Sequence, residues 1–146
     1  MSTSTLSALL AAANARVLAG VSGSRLSEET VHTIQSSTRS PVHKEFAIGR
    51  LSSRPERTPQ RASEGIPERH ELTVVAAYQL PPKDRQAGLQ AASDYAAAIR
   101  TALLGTTWTS TIAARITYTG TTEQPGPDGW VWLTLTFDAL QSVTIS

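Results

Sequence analysis

The feature that most restricts this chain is a change of hydrophobic period across two prolines. Before Pro81-Pro82, Leu72, Val74, Ala76, Tyr78 and Leu80 recur at every second position, on one side of an extended strand. After them, Leu89, Ala92, Ala96, Ile99 and Leu103 recur at spacings of 3, 4, 3 and 4, the stripe of a helix with one apolar face. The prolines stop the strand, Asp84 is placed to cap the helix, and Gly105 closes it near Leu104. A one-sided strand joined to a one-sided helix must bury both against a common core, which points to layers of sheet and helix.

The remaining segments fit that scheme. Residues 5–19 predict a helix capped by Thr5 or Ser4, with Leu6, Leu10, Ala13 and Val17 on one face and Gly20 and Gly23 beyond its end. A weaker helical stretch is expected after Ser27. Phe46 and Ile48 alternate with small or polar neighbours and predict a strand to about Ser52. Ile112, Ala114, Ile116 and Tyr118 predict another strand, Thr119–Gly129 a turn, and Val131, Leu133, Leu135 and Phe137 a closing strand. The tail Ser142–Ser146 is a candidate edge strand. The expectation is one α+β domain over 1–146: a two-layer fold with an about four-stranded, mostly antiparallel sheet and two amphipathic helices on one face. Residues 53–69 form a long arm or loop in the first hairpin, beyond common connection lengths.

Composition removes several classes of function. The 146 residues carry 13 Lys+Arg against 12 Asp+Glu, too even a balance for a nonspecific DNA binder that neutralises phosphates with cations. No apolar run approaches the roughly 20 residues of a membrane span. The N-terminal segment lacks the basic residues that open a signal peptide. The absence of cysteine excludes disulfides, thiolate catalysis and thiolate zinc sites.

Catalytic and metal-binding patterns are not found. His43 and His70 have Glu45, Glu68 and Glu71 nearby in sequence, but antiparallel pairing sends His43 to the far end of its partner strand and sets His70 against Leu51. Eight residues of strand are ~26 Å, too far for a shared ligand sphere. Gly20-Val21-Ser22-Gly23-Ser24 misplaces the second glycine of a nucleophile elbow, and Ser40 and Lys44 are four apart instead of three. No glycine-rich phosphate loop precedes a helix. The expectation is a protein that is not an enzyme, with no cofactor and no metal.

Two surface features stand out instead. From Arg39 to Arg69 the chain holds seven cations against four anions, and six of the seven are arginine, whose planar donors suit protein interfaces. A solvated loop of mixed charge is the plainer alternative. In the last strand, Trp130 and Trp132 alternate with the core-facing set, and tryptophan outside a core is enriched among interface anchors. The alternative is that helices, or the arm, cover them.

The run HELTVVAAYQLPPKDRQAGLQAASDYAAAIRTALL, followed by Trp108, ARITYTG and a Pro-Asp-Gly turn into WVWLTLTFDAL, resembles the tail terminator proteins of long-tailed bacteriophages. The likeness covers about residues 43–140; residues 24–42 match nothing in it. It implies an α+β subunit in a ring, commonly a hexamer, that caps the tail tube, stops its polymerisation and offers the head-joining surface. The implied partners are further copies of the chain, the tail tube protein and the head-tail connector protein, with DNA only as cargo through the lumen and no membrane. The implied place is the virion neck, after assembly in the host cytoplasm. Candidate interface residues are Arg50 just before the arm, Arg54, Arg57, Arg61 and Arg69 on it, Trp130 and Trp132 on the last strand, and Asp128 at a projecting turn. The alternatives are a head-closure or tail-completion neck protein, or a small ligand-binding or enzymatic α+β domain.

Overall fold

The computed structural model describes residues 6–36, 40–55, 68–104 and 114–141. Their order is α1 (Leu6–Gly20), β1 (Arg25–Leu26), β2 (Glu45–Pro55), β3 (Glu68–Gln79), α2 (Arg85–Leu104), β4 (Ala114–Pro125) and β5 (Trp130–Gln141). The strands form one sheet in the order β1-β2-β3-β5-β4. The α+β class holds, but the sheet has five strands and is mixed, because β1 pairs parallel with β2 at Glu45 and Phe46. All other pairings are antiparallel.

Both helices lie on one face, as expected, but each turns a slightly different side inward. In α1 the buried residues are Leu9, Ala13 and Val17, with Leu6 and Leu10 at the flank. Leu6, Leu9 and Leu10 share one side of the helix, and only contact with the rest of the core selects Leu9 as its centre. In α2, Ala92, Ala96, Ile99 and Leu103 are buried with Tyr95, whereas Leu89 is 41% exposed. Gly88 takes the place next to the turn: a Cβ there would stand 2.6 Å from Pro81 Cδ. Asp84 does cap α2, its Oδ1 accepting the Ala87 N–H at 3.1 Å. The caps Thr5 and Ser4, Gly105, Ile112 and the tail 142–146 lie outside the described residues.

The helix side of the sheet carries the main core, including Phe46, Leu72, Val74, Ala76, Leu133, Leu135 and Phe137. The opposite side is not left bare. Val31 and Ile34 fold across it onto Ala47 and Val75, with Trp132 at the margin. The helix expected after Ser27 is instead a set of turns, with Ile34 N–H donating to Thr30 O at 2.9 Å. Glu45, buried, accepts the Ser27 hydroxyl and anchors the start of this segment. Gly49 gives it room, since a Cβ there would reach within 2.7 Å of Val31.

Three boundaries move. β2 and β3 stay paired as far as Pro55 and Glu68, so the root of the expected arm is strand. A register irregularity between Arg50 and Ser52 sets His70 against Ser53, not Leu51. β4 continues through Thr119–Pro125, where a turn was expected, and an irregularity between Tyr118 and Gly120 admits the glycine. The turn itself contracts to Gly126–Gly129, with Asp128 and Gly129 at φ of 60° and 80°.

Candidate interaction surfaces

The candidate residues fall at two ends of the sheet. Arg54 pairs in register with Arg69, and the same row continues to Leu140 and Arg115. Trp132 pairs with Ala77 and Trp130 with Gln79 at the other end. Arg69 and Ala77 are eight residues apart on β3, so the two groups are ~26 Å apart. Arg54, Arg69, Trp130 and Trp132 share the face away from the helices. Arg50, in register with buried Leu72, belongs to the helix face. Arg57 and Arg61 lie outside the described residues.

At the arm end Arg50 and Arg54 are exposed, whereas Arg69 is partly covered and places Nη1 3.4 Å from Asp138 Oδ2. Arg69 therefore belongs in part to the chain's own packing. Beneath these charges the helix-face positions turn polar. His70 is 3% exposed, with Nδ1 2.6 Å from Ser53 Oγ and Nε2 3.1 Å from Gln141 Oε1. An amide oxygen can only accept, so Nε2 carries the hydrogen toward Gln141, while the Ser53 hydroxyl bonds the other ring nitrogen. The three side chains cross-tie β2, β3 and β5. This set was missed in the sequence, although its signal is visible there: His70 and Gln141 continue the two apolar alternations, each as a polar residue at a core position.

At the turn end Trp130 and Trp132 are both half-buried and Asp128 is exposed. Among the described residues the cover on Trp132 comes from the Val31–Ile34 segment. With Ile34, Pro41, Pro127 and Asp128, the two tryptophans line an open cleft of about 210 Å³. Nearby, His43 Nδ1 accepts the Gln79 N–H at 3.1 Å and its ring meets Tyr78 edge-on at 4.5 Å. Partial burial, reinforced by the neighbouring Lys44 charge, lowers the His43 pKa below its ordinary 6.5. Tyr95 donates to Lys44 O at 3.0 Å, and burial raises its pKa well above the ordinary phenol value.

His43 and His70 thus sit at opposite ends of the hairpin. Among the described residues no group of three or more His, Asp or Glu is placed to hold a metal ion. Among them, too, no helix is long and apolar enough to cross a membrane. What these residues offer is contact: arginine at one end, indole and a carboxylate at the other. No family model matches the chain, and no curated protein matches it closely enough to serve as a relative.

Proposed function

We propose that this protein acts as a tail terminator of a long-tailed bacteriophage: a ring, six-membered on the family pattern, that caps the tail tube, halts its polymerisation and presents the head-joining surface. Its partners in this reading are copies of itself, the tube protein and the head-tail connector protein, and its place is the virion neck. The observation that carries the reading is the segregation of two unlike patches to the two ends of one sheet. A ring closes through head-to-tail contacts, in which each subunit offers two different surfaces. A cationic strand end and an indole-carboxylate turn are two such surfaces, and neither is self-complementary. The resemblance in the 43–140 region supplies the filament whose end the ring would meet.

The direct test is tail assembly in a phage lacking this chain. Abnormally long tubes are expected; tubes of normal length that lack heads would move the protein to head closure. A second test removes the arm. Because β2 and β3 remain paired to Pro55 and Glu68, residues 56–67 can be replaced by a two-residue turn without breaking a described strand pair. Sedimentation should then show a smaller particle than the full chain gives.

A further inference from the structure

The sheet has two lateral edges, and among the described residues both are open. β4 pairs with β5 alone along its whole length. The outer side of β2 is covered by β1 only at Glu45 and Phe46, after which Ser27 N–H donates to Phe46 O and the chain departs across the sheet. An exposed row of backbone donors and acceptors is a template for another strand. On its helix side β4 is flanked by a groove of about 280 Å³ against α2, lined by Ser93, Ala97, Arg100, Tyr118, Thr121 and Glu123. Arg100 lies over the Tyr118 ring at 5.1 Å, and Ser93 Oγ–H donates to Glu123 Oε1 at 2.9 Å. An open edge strand beside a helix is the setting in which extended segments add to a sheet.

We propose that β4 receives, as an added antiparallel strand, the Arg50–Pro55 half of β2 from a second copy of the chain. Strand direction supports this occupant. β2 opposes β3, β3 opposes β5 and β5 opposes β4, so β2 and β4 run in opposite directions. Two copies set side by side without inversion therefore present these edges to each other antiparallel.

Charge selects the register. With no stagger, Arg54 of one copy would face Arg115 of the next, because both belong to the same row of the sheet. Like charges directly opposite are destabilising. Sliding by four rows, ~13 Å, brings Arg50 opposite Glu123 instead. Both belong to the helix face, since Arg50 aligns with Leu72 and Glu123 with Leu133. The same slide puts Ser52 opposite Thr122 and Arg54 opposite Gly120, again face to face, and leaves Arg115 beyond Pro55. Proline has no N–H, so it suits the end of the pairing. A strand stagger between neighbours is also what closing a sheet into a ring requires.

This rests on the ring reading only for self-association; it moves the contact between copies from the two ends of the sheet to its two lateral edges and leaves the arginine and tryptophan ends for the other partners. The chain has no cysteine, so an introduced pair reports cleanly. Within one molecule β2 and β4 are separated by β3 and β5, three strand spacings or ~14 Å, too far for a disulfide. Ser52→Cys mixed with Thr122→Cys should give covalent dimers on mild oxidation, at least tenfold more than Ser52→Cys mixed with Thr117→Cys, the unstaggered register. Dimers only from the second mixture, or from neither while the full chain still sediments as an oligomer, would overturn the strand-addition proposal and leave the ring reading intact. A full chain that sediments as a monomer would overturn both. Independently, Arg50→Glu or Glu123→Arg alone should weaken self-association at least tenfold, and the two together should restore it. Failure of the double variant to recover would also count against the pairing.

Discussion

The two ends of the sheet are made from the same strands and differ in almost everything else. At the arm end, Arg54, Arg69 and Arg115 share one row, and the core positions beneath turn polar at His70 and Gln141. At the turn end, Trp130 and Trp132 occupy the same face, and the inner positions stay apolar through Val131 and Leu133. Hydrogen bonds hold the first end together and hydrophobic contact holds the second. A directional, polar end can fix how β2 pairs with β3, whereas an apolar end can bury surface against whatever meets it. The contrast also explains how one small sheet can carry two unlike contacts without one compromising the other.

Substitutions that remove the character of one end at a time would sharpen the contrast. Trp132→Ala opens the small cluster of Ile34, Ala47 and Val75. Because the indole is only half-buried, the cost should fall below the range for a fully buried tryptophan, at about 2 kcal/mol, read as a lower urea midpoint. His70→Ala deprives Ser53 and Gln141 of their shared partner at the arm end. Removing these buried hydrogen bonds should cost about 1–2 kcal/mol, again by urea titration. If both losses proved to be below 0.5 kcal/mol, about the size of an ordinary surface change, the two ends would not be held as described.

The smallest effect is a pH dependence at the turn end. The folded state lowers the His43 pKa below 6.5, so the unfolded chain takes up a proton first as pH falls. The stabilisation from neutral His43 is therefore present above pH 6.5 and is lost as pH drops through the unfolded value toward the folded one. Protonation of Nδ1 would also remove the acceptor that Gln79 N–H uses. His43→Gln should flatten the fall in the urea midpoint between about pH 7.5 and 5. An equally steep fall in the variant would assign the dependence elsewhere.

Much of the fold was legible in the sequence because it rests on local repeats. The alternation of Val131, Leu133, Leu135 and Phe137 predicted the inward face of β5 residue by residue, and Asp84 was placed as the cap it is. The candidate surface was legible in part. Exposed Arg50 and Arg54 and half-buried Trp130 and Trp132 could be named from parity and residue type, but the salt bridge of Arg69 to Asp138 could not, because its partners are 69 residues apart. The groove of Arg100, Tyr118 and Glu123 was missed for the same reason, since α2 and β4 meet there through no local pattern.

The sequence alone determined the two long helices, the central parts of β2, β3 and β5, and which residues of β3 and β5 face inward, because a period of two or of 3.6 is written in nearest neighbours. β1, the turns of 27–36 and the extension of β4 through Pro125 were not in that pattern. Tertiary structure alone decided that Leu9 and not Leu6 centres the α1 face, that Gly88 displaces Leu89 at the core, and that residues 27–36 cover the second side of the sheet. It also decided that, among the described residues, β4 lies open at one edge and β2 lies open at the other beyond its short pairing with β1. Those outcomes depend on which surfaces meet across the fold, and a chain read in order carries no record of that until distant segments compete for the same contacts.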